Sequence, residues 1–140
     1  MGKTIVLFVQ VIKVSTYILR RSENCDTSVF MKQYVIDELR FEDFKKIKTY
    51  LDDKFTASIL DGIYWIPIEK RVLTDVQSGH LECHPFFFAM RIEQNSLSCE
   101  LLVRTRNRIS CECMDYANED QRNWLIRRVD SMFDTLNIKT

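Results

Sequence analysis

The residues from Phe86 to Glu93 limit this chain more than any other stretch. Phe86, Phe88, Met90 and Ile92 alternate strictly with Phe87, Ala89, Arg91 and Glu93, the period of two that belongs to a strand with one buried face. Gln94, Asn95 and Ser96 read as a turn. Beyond it Leu97, Cys99, Leu101 and Val103 alternate with Ser98, Glu100, Leu102 and Arg104. A loop at Thr105, Arg106 and Asn107 precedes a third alternation, Ile109, Cys111 and Cys113 against Arg108, Ser110 and Glu112. The pattern predicts a three-stranded meander over 86–115. Pairing Val103 with Ile109 would set Cys99 opposite Cys113 and Leu101 opposite Cys111.

A helix follows from the same kind of reading. Asn118 and Gln121 have the spacing of a capping box, in which each side chain satisfies the other residue's backbone N–H. Trp124, Leu125, Val129, Met132, Phe133 and Leu136 then share one side of a 3.6-residue period, with Arg122, Arg127, Asp130 and Asp134 on the other. This predicts a helix over 118–136 whose Trp124 and Phe133 roof the inward face at Phe88, Leu101 and Cys111.

Upstream, Tyr34 and Ile36 mark a short strand. Phe44, Ile47, Leu51 and Phe55 give the apolar stripe of a helix over 41–54. Asp61 and Gly62 signal a turn into a strand at Ile63–Ile68, which Pro67 restricts to a sheet edge because it lacks an N–H donor. Over 69–82, Thr74 can cap a short helix, which Gly79 weakens, and a connecting loop is the alternative. The expected fold class is therefore α+β: an antiparallel sheet of about five strands, with two main helices on one face.

Residues 1–30 read as an extension or extra strand attached to a single domain over 31–140. Ile5 to Leu19 is rich in β-branched residues but broken by Gln10 and Lys13. A membrane span needs about 20 apolar residues, and no small-residue cleavage motif closes the run. A strand is the expectation there, with a signal or anchor over 5–19 as the alternative.

Twenty basic and twenty acidic residues leave zero formal charge, which argues against binding nucleic acid through bulk electrostatics. Five cysteines are an odd number without the dense spacing of a secreted disulfide module, and they suit reduced thiols in the cytoplasm.

Three groups of residues could carry chemistry. His80, Cys83 and His84 form an H-x2-C-H cluster, and Cys111 with Cys113 a C-x-C pair. Thiolates and imidazoles are zinc ligands. On a strand, however, Cys111 and Cys113 would lie about 7 Å apart, too far to share one ion without a bulge, so packing of the core is preferred to zinc and no cofactor is expected. Arg104, Arg106 and Arg108 crowd one hairpin end, where they could hold a phosphate, carboxylate or nucleic-acid anion; a solvated tip is the plainer reading. Phe87 and Leu102 point away from the expected core and suggest a homodimer through the outer sheet face. The expected function is a small non-catalytic binding or self-associating interaction module. A metal or thiol redox protein built on the His/Cys residues is the alternative from another class.

Overall fold

Each alternating run needs a ladder partner, and the chain supplies them in an order that crosses back and forth over the sheet. The computed structural model describes residues 10–12, 31–55 and 59–139. The elements are β1 (Gln10–Ile12), β2 (Met31–Ile36), α1 (Phe41–Lys54), β3 (Ile63–Pro67), α2 (Asp75–Gly79), β4 (Phe86–Glu93), β5 (Ser96–Glu100), β6 (Arg104–Thr105) and α3 (Glu119–Thr135). Single 3-10 turns lie at Lys70–Val72 and Leu81–Cys83. The sheet runs β1-β2-β5-β4-β3, with β6 also paired to β4, and every pairing is antiparallel. The α+β architecture expected from the sequence is the observed one. The three β1 residues fall within the 5–19 run, most of which lies outside the described residues.

One face of this sheet carries the core. Tyr34, Ile36, Tyr64, Ile66, Phe86, Phe88, Met90, Ile92, Leu97 and Cys99 are all buried. They meet Ile47 and Leu51 of α1 and Trp124, Leu125, Val129, Met132 and Phe133 of α3 in a single cluster. Trp124 stacks on Phe88 with ring centroids 6.3 Å apart, the contact the helix stripe implied. The entry to β3 depends on Gly62, whose φ of +79° favours glycine and whose added Cβ would stand 2.9 Å from the Ile92 carbonyl oxygen. Pro67 closes β3, the edge strand, as its missing donor requires.

The third meander strand does not form. After Glu100 the chain leaves its register with β4: Leu101 N–H still donates to the Lys32 carbonyl, one step beyond the β2 pairing, but Val103 N–H donates to the Asp115 carbonyl and Leu102 bridges Tyr116. Between β5 and β6 the register against β4 slips by two, from Met90↔Cys99 to Phe87↔Arg104, so Leu101–Val103 is a bulge. The groups that would have paired with residues 109–113 are already taken by 115–117. Residues 106–115 fold instead as an irregular loop, Ile109 is fully exposed at 100%, and neither Cys99–Cys113 nor Leu101–Cys111 is a strand pair.

Two capping boxes meet in the interior. Thr74 and Gln77 cap α2, and Asn118 and Gln121 cap α3, each box with both reciprocal bonds. The two buried glutamines then bond to each other, Gln121 Nε2 donating to Gln77 Oε1 at 2.7 Å. Gln77 Nε2 donates to the Cys113 carbonyl at 3.3 Å. A buried amide keeps its place only when satisfied, since an orphaned one costs about 1–3 kcal/mol. Replacing Gln121 by Leu should therefore destabilise the protein by about 1–3 kcal/mol in urea unfolding and should also loosen α2. An unchanged midpoint would mean that the glutamine pair contributes nothing.

Candidate metal centre

Tight turns, rather than strands, carry the residues that the sequence marked as ligand types. His80 and Cys83 stand at the two ends of one turn, closed by the Cys83 N–H donating to the His80 carbonyl at 3.0 Å. Cys111 to Met114 makes a second turn, closed by the Met114 N–H donating to the Cys111 carbonyl at 3.0 Å. Turning the chain here removes the separation of about 7 Å that a strand would impose on Cys111 and Cys113. It also brings the two sequence clusters together from opposite ends of the fold's irregular half.

One ligand atom from each of His80, Cys83, Cys111 and Cys113 lies within 4.8 Å of every other. The Cys83 and Cys111 sulfurs are 3.7 Å apart, and the Cys111 sulfur is 3.4 Å from His80 Nδ1. Tetrahedral zinc with bonds of about 2.3 Å to sulfur and about 2.0–2.1 Å to nitrogen sets its ligand atoms roughly 3.5–3.8 Å apart. The sulfur–sulfur spacing falls within that range and the sulfur–nitrogen spacing 0.1 Å below it. Cys83 and Cys113 are buried and Cys111 and His80 half-buried, so the cluster sits just beneath the surface.

Surrounding bonds hold both turns in place. Thr105 Oγ1 donates to the Cys83 carbonyl at 2.6 Å. Asn107 Nδ2 donates to the carbonyls of Glu82 and His84 at 3.2 and 2.8 Å, and Arg108 pairs with Glu82 at 2.6 Å. The Cys113 turn is held from inside by Gln77. His80 Nε2 lies 3.5 Å from the Glu112 carboxylate. That contact leaves Nδ1 directed at the sulfurs, the arrangement by which a carboxylate orients a metal-ligating histidine.

The thiols differ in acidity for local reasons. The backbone N–H of Cys113, and after it the Cys113 thiol, donate toward the Cys111 sulfur and hold its pKa down at about 7. Burial, followed by the hydrogen bond with Cys111, pushes Cys113 up to about 12. Burial alone does the same to Cys99, which packs in the core as expected and takes no part in the cluster.

Other residues marked in the sequence are placed elsewhere. His84 turns away: its Nε2 lies 2.9 Å from the Gln77 carbonyl and its ring packs edge-on to Phe86. Arg104, Arg106 and Arg108 do not converge. Arg104 pairs with Glu100 at 2.8 Å, Arg108 with Glu82, and Arg106 lies over the rings of Trp65 and Phe87. Two of the three guanidinium charges are thus already matched by carboxylates. Phe87 is half-buried against Trp65 on the outer face, and Leu102 is half-buried beside its bridge to Tyr116. Reading the sequence alone missed Gln77, Thr105, Asn107 and Glu112 as supports of the site. Only Glu112, between the two cysteines, carried a signal that could have found it.

Comparison with protein-family models, with curated proteins and with solved structures finds no match to this chain.

In the reduced, metal-free protein, iodoacetamide should modify Cys111 ahead of Cys99 and Cys113. The thiolate is the reactive form, so the Cys111 rate should rise with pH through about 7 and level off above it. Peptide mass mapping reads the order, and faster labelling of Cys99 in the folded protein would contradict it.

Proposed function

We propose that this chain is a zinc-binding α+β domain in which His80, Cys83, Cys111 and Cys113 hold one ion as a structural centre, and that it serves as a non-catalytic binding module. The observation that carries this reading is the convergence of four ligand atoms within 4.8 Å of one another, from turns about as far apart in sequence as the 28 residues separating Cys83 from Cys111. Three sulfurs and one imidazole suit zinc, and four protein ligands close the tetrahedron, leaving no position for water or substrate. A closed centre stabilises; it does not catalyse.

What the ion stabilises follows from its place. The loop over 106–115 has no ladder partner, and Ile109 contributes nothing to the core. Side-chain bonds and the ligand cluster tie this loop to the segment before β4. Four unpaired thiols among the described residues suit a reducing compartment such as the cytoplasm. Among the described residues no helix is long and apolar enough to cross a membrane.

Protein purified without chelators should contain one zinc per chain by elemental analysis, and Cys113→Ser or His80→Ala should lower that content sharply. At a free zinc concentration about 1,000 times the Kd, binding stabilises a fold by about 4 kcal/mol. Chelation should then lower the Tm by on the order of 10–20 °C. Zinc content near zero in freshly purified wild type that also fails to take up added zinc would refute the proposal. So would a Tm indifferent to chelation.

A further inference from the structure

The cluster contains a second chemical possibility, set by its geometry and uneven exposure. Cys111 is the one half-buried sulfur of the three, whereas Cys83 and Cys113 are 1% and 2% exposed. An oxidant arriving from solvent therefore meets Cys111 first. The Cys83 sulfur lies 3.7 Å from it, carried on a different turn and 28 positions away in the chain. Closing that gap to the roughly 2.05 Å of a disulfide takes a movement of less than two ångströms once the metal no longer holds the sulfurs apart. The competing bond, Cys111 to Cys113, would close a small ring around Glu112 alone, inside a turn fixed by the Met114 N–H.

We infer that Cys83 and Cys111 are a redox pair, which hydroperoxides convert to a disulfide with release of the zinc ion. The inference rests on the zinc reading above and adds its regulation. Hydrogen peroxide oxidises the Cys111 sulfur to sulfenic acid and leaves as water. The Cys83 sulfur then attacks the Cys111 sulfur, forming the S–S bond and expelling hydroxide, which a proton converts to a second water. The balance is two thiolates, one peroxide and two protons giving one disulfide and two waters. Two of the four ligands are consumed, and His80 with Cys113 alone form too incomplete a site to retain the ion.

This differs from simple loss of metal. Chelation severs the link between the two turns, whereas oxidation replaces a metal link by a covalent one between the same turns. A crosslink of this kind stabilises a fold chiefly by restricting the unfolded chain. The oxidised, zinc-free protein should then unfold at a temperature between those of the zinc form and the reduced, zinc-free form. The loop over 106–115 stays attached to the segment before β4, and the domain persists in both states.

The test treats the zinc-loaded full chain with graded hydrogen peroxide, reading zinc release with a chromogenic chelator and the products by non-reducing peptide mass mapping. The expected result is zinc released in step with a Cys83–Cys111 peptide, and full recovery of zinc binding after dithiothreitol and added zinc. Cys83→Ala, which lacks the resolving sulfur, should instead trap a dimedone-reactive sulfenic acid at Cys111. A Cys111–Cys113 peptide, sulfinic acid at Cys111 without a disulfide, or release that reductant and zinc do not reverse would overturn the inference. If the protein holds no zinc at all, the structural-centre reading fails. The same peptide map of the metal-free chain still decides separately whether Cys83 and Cys111 are the pair.

Discussion

The hydrogen bond between Gln77 and Gln121 joins everything that matters in this molecule. Each amide serves first in its own capping box, at the start of α2 and of α3. Each then spends its remaining capacity inward, Gln121 on Gln77 and Gln77 on the Cys113 carbonyl. A chain of satisfied polar groups in a low-dielectric interior is rigid, because moving any member leaves another unpaired. The helix that covers the sheet, the short helix before the ligand turns and the Cys113 turn are in consequence fixed relative to one another.

This link also explains how a sheet protein of modest size presents converging sulfur ligands. Strand geometry alone would separate alternate side chains by about 7 Å. The bulge at Leu101–Val103 takes the chain out of the ladder, and the 115–117 segment occupies the vacated backbone groups. The residues between are free to turn. Thr105, Asn107 and Arg108 then bind the loop to the backbone and side chains of 82–84, so that the Cys111 turn faces the Cys83 turn. The ligand geometry is thus a product of the loop's polar contacts more than of the core.

Much of the fold was legible in the residues. The unbroken alternation of β4, the stripe of α1, the caps at Thr74 and Asn118, and the edge position of Pro67 all follow from local rules, and tertiary packing agreed with them. The third strand failed because Ile109, Cys111 and Cys113 alternate as well as any strand does, while periodicity says nothing about whether a ladder partner remains free. The site was half legible for a related reason. His80, Cys83, Cys111 and Cys113 were recognisable as ligand types, but cysteine is also a common core residue, and the false strand placed the last two too far apart. His84, one residue from Cys83, belongs to the same sequence cluster and not to the centre, since adjacent side chains diverge. The mutual bond of the two glutamines had no sequence signal, because each amide already had a complete local role.

The most direct measurement is X-ray absorption at the zinc edge on protein loaded with one equivalent of the metal. The account requires a first shell of three sulfurs at about 2.3 Å and one nitrogen at about 2.0–2.1 Å. A shell made only of oxygen and nitrogen, or one with fewer than three sulfurs, would contradict it.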